Sequence, residues 1–220
     1  YTAGKTYEEV YFNAIYTDGF AIPSTPLKAN AGVPKRGMTV SCSRQYVENN
    51  IDSKYLNNAE TAIFTKLSHG CSVTVDDWLA EGDPIGEGDF SEGVVPIIEM
   101  IKNTTLEITH STRRGQVAFY VGIDHGDFWK IAQMLYEDPD GLNIGWLIPD
   151  SFIEKLINKE QDALARWNRM LYVRLAKGKG YLAMTDRMNR NKAQTFKNLG
   201  LHIKGSNLCN ELNLPANADY

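Results

Sequence analysis

The chain of 220 residues predicts an α/β fold built on a five-stranded parallel sheet. Short apolar runs alternate with longer amphipathic stretches from about residue 38 to residue 185, in the order βαβαβαβαβ. The runs are joined by helical crossovers, and strands joined that way run parallel, because antiparallel neighbours need only a tight turn. The composition is that of an ordinary globular protein, with 43% apolar and 23% charged residues, so disorder and fibrous architectures are excluded. The length fits one domain with a sizeable core.

The strand candidates are MTVSCS from 38, CSVTV from 71, QVAFYVGI from 116, LNIGWLI from 142 and GYLAMTD from 180. Helices are predicted over 57–69, 91–103, 127–137 and 159–178. The last carries Leu164, Trp167, Leu171 and Leu175 at spacings of three and four along one stripe. Ser91 and Asp127 stand where N-caps would, and Gly178 and Gly180 break the long helix before the fifth strand. Upstream, TYEEVYFNAIY (6–16) reads as a leading helix and PSTPLKANAG as a loop. Reactive groups of parallel sheets collect at the carboxyl ends of the strands, which would bring Cys42, Asp124, His125 and Asp186 to one rim.

The formal net charge of −4 and the lack of any dense Lys/Arg run exclude a nucleic-acid face. No apolar run is long enough to span a bilayer and the first residues lack a signal-peptide pattern, so a cytoplasmic protein without membrane contact is expected. The chain opens on Tyr1 rather than Met, which points to processing or to a stretch upstream. Three cysteines, Cys42, Cys71 and Cys209, are an odd number and argue against a secreted disulfide scaffold. His69, His110, His125 and His202 lack ligand-like pairing, so no metal site is expected. The Gly-rich GDPIGEGDF is acidic, lacks the lysine of a phosphate loop and reads as a surface loop.

Cys42 lies between two serines in the first strand, where a small core residue is the simplest reading. Cys71 has no polar company in sequence. Cys209 differs: Asn207 and Glu211 flank it in SNLCNEL, and in an extended segment all three side chains would share one face. A carboxylate beside a thiol disfavours the thiolate and opposes ordinary nucleophilic chemistry. A neutral thiol beside a base and an amide suits loss of a hydrogen atom, with the carboxylate taking a proton from a hydroxylated substrate. In STRRGQVAFYVGIDHGDF (111–128), Arg113 and Arg114 fit either a solvated turn or a nucleotide-contacting loop.

Taken together, STPLKANAGVPKRGMTVSCS (24–43), RRGQVAFYVGIDHGDF (113–128) and SNLCNEL (206–212) resemble the large catalytic subunit of class I ribonucleotide reductases, in order and spacing. The resemblance implies one five-stranded half of a ten-stranded α/β barrel, completed by another chain. It divides this single domain into a leading helix with a substrate-phosphate loop (1–37), the half-barrel (38–204) and a finger loop (205–220). Carried over by motif, Cys209 would form a transient thiyl radical that takes the 3′ hydrogen, Glu211 would act as base on the 3′ hydroxyl, and Asn207 would hold the ribose hydroxyls. Cys42 would deliver reducing equivalents, its partner cysteine lying beyond the finger in the second half. Thr25 and Ser41 match positions for the substrate diphosphate and ribose, and Arg114 matches a loop signalling between effector and substrate base.

The implied activity is ribonucleoside-diphosphate reduction for DNA synthesis, in a fragment inactive without its complement. The implied partners are a complementing C-terminal half, a small subunit carrying the metal-radical cofactor, a dithiol reductant of the thioredoxin or glutaredoxin type, and a second copy of the assembled large subunit. No cofactor would sit on this chain. A split gene of this kind suits a bacteriophage acting in its host cell. One departure is that GCSVTVDDWLAEGDPIG (71–87) is acidic or apolar where the family carries an effector-reading arginine, so weak effector control is expected. The alternative is a noncatalytic assembly or regulatory module of a reductase complex.

Overall fold

The computed structural model describes residues 6–19, 22–33, 37–40, 42–108 and 115–215. The chain opens with α1 (Tyr7–Phe12), closed at its start by a capping box between Thr6 and Glu9 and followed by a π-helical turn at Asn13–Thr17. α2 (Thr25–Asn30) occupies part of the stretch expected to be loop, with Pro26 in its first turn, where a missing N–H costs nothing. Then follow β1 (Cys42–Tyr46), α3 (Ile51–Lys66), β2 (Gly70–Thr74), the small strands β3 (Pro84–Gly86) and β4 (Asp89–Phe90), and α4 (Val95–Glu107). The second part comprises β5 (Val117–Gly122), α5 (Phe128–Glu137), β6 (Ile144–Ile148), α6 (Asp150–Ile157), α7 (Gln161–Lys177), β7 (Tyr181–Met184), α8 (Thr185–Arg190), α9 (Gln194–Asn198), β8 (Ile203–Ser206) and β9 (Asn213–Pro215).

The five predicted strands form one parallel sheet in the order β1-β2-β5-β6-β7. Neighbours in sequence are neighbours in space, so each helical crossover advances the sheet by one strand. Among the described residues nothing pairs with the outer edges of β1 and β7. One face of the sheet carries Cys71, Val73, Phe119, Val121, Ile144, Trp146 and Ile148, buried with Ile97, Ile98 and Ile101 of α4 and Phe128, Ile131 and Leu135 of α5. Alternation along each strand sends Ser72, Thr74, Ala118, Tyr120, Leu147 and Ala183 to the opposite face. That face is covered by the β8–β9 hairpin.

Several boundaries differ from the sequence expectation for physical reasons. β1 runs over the polar CSRQY rather than MTVSCS; Val40 is exposed, and the Met38 amide is bonded to the Leu67 carbonyl outside the sheet. α3 begins at Ile51 rather than 57, because Asn50 caps it by accepting from the Ser53 amide. Its buried side is Asn57, Thr61 and Thr65, not hydrocarbon, and meets Gln45 of β1. Ser91 is not the cap of α4, which starts four residues later with Val94 at its N-cap. The surface loop GDPIGEGDF is a short exposed hairpin, β3–β4. On α7 the stripe is only partly inside: Trp167 and Leu171 pack on the core, Ala163, Met170 and Val173 are buried, and Leu175 is exposed. Gly178 ends α7 in the left-handed conformation and its amide returns to the Arg174 carbonyl at 2.8 Å.

Candidate functional site

The β8–β9 hairpin reaches across the polar face of the sheet and is bonded to it from end to end. Ser72 Oγ donates to the Ser206 carbonyl at 2.5 Å, Thr74 Oγ1 to the Lys204 carbonyl at 3.4 Å, and Tyr120 OH to the Asn207 carbonyl at 2.9 Å. Arg44 of β1 donates through NH1 to the Pro215 carbonyl at 2.8 Å. At the carboxyl end of the strands Lys204 is clasped by Tyr46 OH, at 2.9 Å, and by Asp77. Gly205 lets the hairpin come this close, since a Cβ there would lie 2.6 Å from Thr74 Oγ1.

The hairpin ends in a turn over residues 207–210 rather than in an extended strand. The expectation that Asn207, Cys209 and Glu211 share one face by strand alternation is therefore corrected: the turn brings Asn207 and Glu211 together and sets Cys209 at its crest. Asn207, fully buried, organises it. Its Oδ1 accepts from the Glu211 amide at 3.1 Å and the Leu212 amide at 2.9 Å, and its Nδ2 donates to Glu211 Oε1 at 2.7 Å. Its carbonyl accepts from the Asn210 amide at 3.1 Å, and Asn210 takes the left-handed conformation with φ 64°, which asparagine tolerates. Cys209, at the crest, is exposed.

Cys42 stands at the start of β1, half-buried, and its Sγ accepts from the Leu208 amide at 3.1 Å. The first-strand thiol and the Cys209 turn are thus adjacent. Because Cys42 opens its strand, it does not lie on the rim that carries Asp124, His125 and Asp186, which follow the carboxyl ends of theirs. Thr25 is exposed at the start of α2, and its side chain makes no hydrogen bond to the turn among the described residues. Ser41 and Arg114 lie outside the described residues. Cys71 is buried in the core, and burial pushes its thiol up to about 12.

The residues after β5 hold the scaffold. Asp127, buried, accepts from the Glu81 amide at 3.1 Å and from the Val94 amide at 2.9 Å, so it supports the start of α4 rather than capping its own helix. His125 bonds the Trp78 carbonyl at 2.8 Å, and Arg166 donates to the carbonyls of Ile123 and His125. The acidic segment after β2 is similarly engaged: Asp76 accepts from the Gly122 amide, Asp77 holds Lys204 and Asp83 accepts from the Ala80 amide. Sequence reasoning missed Tyr120 and Ser72. The signal was present in β2 and β5, whose inward positions break an otherwise apolar pattern with hydroxyls.

Comparison with known proteins bears on the family and the fold. The family model described as "Ribonucleotide reductase, barrel domain" matches residues 40–166, more than half of the chain. A Frog virus 3 (isolate Goorha) protein provisionally named ribonucleoside-diphosphate reductase large subunit is 28% identical over 205 residues, covering 83% of this chain and 35% of the viral protein. The ribonucleoside-diphosphate reductase subunit alpha of Bacillus subtilis (strain 168) is 28% identical over 201 residues, covering 86% of this chain and 26% of its own length. In structure, the Actinobacillus ureae class Id ribonucleotide reductase alpha subunit superposes with a TM-score of 0.76 at 22% identity, over 87% of this chain and 36% of that one. The chain thus spans about a third or less of the length of these proteins.

Proposed function

Since the chain belongs to the ribonucleotide reductase barrel-domain family, we propose that it is the catalytic first half-barrel of a ribonucleoside-diphosphate reductase large subunit. The observation that carries this reading is the bond from the Leu208 amide to Cys42 Sγ beside the Asn207–Glu211 pair. It sets two thiols, one carboxylate and one amide around a single turn. In the proposed reaction the Cys209 thiyl radical takes the 3′ hydrogen atom of the ribose and becomes a thiol, while Glu211 takes the 3′ hydroxyl proton. Asn207 holds Glu211 in place, and its remaining amide hydrogen is the donor for a ribose hydroxyl once substrate enters. Cys42 is one of two thiols whose oxidation to a disulfide supplies the two electrons that reduce the sugar; the second thiol belongs to the other half of the barrel. Thr25, Ser41 and Arg114 are assigned to the substrate phosphate, ribose and base.

The open edges of β1 and β7 support a role for further polypeptide in completing the sheet. We assign that to a complementing C-terminal half on another chain, with a small subunit supplying the radical and a thioredoxin- or glutaredoxin-type dithiol regenerating Cys42. A bacteriophage-infected cell is the setting proposed. Among the described residues no helix is long and apolar enough to cross a membrane. The engagement of Asp76, Asp77 and Asp83 within the fold supports weak effector control, which equilibrium binding of deoxynucleoside triphosphates to the assembled enzyme tests.

The experiment is reconstitution of this chain with the complementing half and small subunit, following deoxynucleotide formation. Activity on assembly, lost in Cys209→Ser, is the expected result. Undiminished activity in that variant would make the chain an assembly module instead, and reduction by the chain alone would remove the need for a complement.

A further inference from the structure

Tyr120 sits in the middle of β5, fully buried on the face that meets the hairpin. Its ring packs in a small apolar cluster of Ala118, Leu147 and Ala183, against Leu208 of the turn. The space for that ring is made by one residue. Gly145 is its register partner on β6, and a Cβ built there would overlap the phenol ring. A phenylalanine would fill the same volume, so the hydroxyl answers a different need. It donates to the Asn207 carbonyl at 2.9 Å and lies 3.2 Å from Asn210 Oδ1. Both acceptors belong to the turn whose crest is Cys209.

We propose that Tyr120 is a positioning residue for this turn: its hydroxyl pins the Asn207 carbonyl, and through Asn207 it fixes the Glu211 carboxylate and the Cys209 crest relative to Cys42. The inference rests on the reading of the turn as the reactive element, and Tyr120 itself touches no substrate in it. The phenol is kept a donor by its surroundings. Burial above all raises its pKa, negative charge on Tyr181, Cys42 and Glu211 adds to the rise, and a contact with Ser206 opposes it. The hydroxyl therefore remains protonated through the neutral range.

The test uses the full chain and the variants Tyr120→Phe and Gly145→Ala, with readouts independent of reductase activity. Amide hydrogen exchange is followed at residues 210–212 and in β5 and β6, and alkylation of Cys209 by iodoacetamide is followed by peptide mass spectrometry across pH 6–10. In Tyr120→Phe, exchange at 210–212 should accelerate about fivefold, as expected for loss of one hydrogen bond, with strand amides unchanged and the Cys209 pH–rate profile displaced. Gly145→Ala, which keeps the hydroxyl but displaces the ring, should reproduce that profile. If the turn amides and the Cys209 profile of Tyr120→Phe match the parent, the proposal is overturned. Equal acceleration throughout the sheet would overturn it too, by reducing Tyr120 to core packing. A reconstituted enzyme inactive for other reasons would leave these readouts intact, so the two ideas fail separately.

Discussion

The Leu208 amide donates to Cys42 Sγ across 3.1 Å, joining residues 166 positions apart in the chain. The first strand and the Cys209 turn are therefore one unit, and the thiol serves as a structural acceptor. Cys42→Ala removes that acceptor and should destabilise the chain by about 1 kcal/mol, whereas Cys42→Ser, which keeps one, should stay within about 0.5 kcal/mol. Urea titration measures both. In the reconstituted reductase both variants should lose turnover, and a turnover-competent Cys42→Ser would rule out the electron-delivery role.

Asn207 offers a sharper contrast. Asn207→Ala leaves the Glu211 and Leu212 amides without their acceptor and should cost roughly 2–4 kcal/mol in denaturant unfolding. Asn207→Asp keeps both acceptor roles but sets a second carboxylate against Glu211. It also loses the Nδ2 donor to Glu211 Oε1, so it should unfold at lower denaturant than the parent, and its deficit should shrink at high salt, which screens like charges. A deficit independent of salt would contradict the close Asn207–Glu211 contact.

Asp127 links two helices, because it stands at the start of α5 and receives the amide that opens α4. Asp127→Ala should lower stability by about 2–3 kcal/mol, and Asp127→Asn, with one acceptor left, by less. Circular dichroism melting of the two variants orders them, and an inverted order would show that the carboxylate charge, not its bonding, matters.

Cys71 predicts alkaline behaviour. Its thiol is raised by burial from 9.0 to about 12, so the folded state holds its proton where the unfolded chain has lost it. The stabilisation is complete below pH 9 and is lost as the pH rises towards 12. Unfolding free energy should fall across that window, and Cys71→Ala should show a shallower fall from a lower starting stability. An unchanged slope would place the alkaline sensitivity elsewhere.

Much of the scaffold was legible because its signals are local. The apolar runs of β2, β5 and β6 and the amphipathic α5 and α7 declare themselves by periodicity. The start of α3 was hidden because its buried side is Asn57, Thr61 and Thr65, which match a glutamine on β1 and leave no apolar stripe. α2 was hidden by its proline, which reads as a breaker unless it falls in a first turn. At the site, Cys209, Asn207 and Glu211 could be singled out by chemistry, but their arrangement depends on a turn supported by Tyr120, Ser72 and Cys42. Contacts over such separations leave no local spacing to read.

The hairpin carrying Cys209 lies over the polar face of the sheet and is fastened at both ends, while among the described residues nothing pairs with the outer edges of β1 and β7. Any strand added at either edge would meet a face that this hairpin already occupies. The crest of the hairpin thus takes its bearings from this sheet alone, through bonds to β1, β2 and β5.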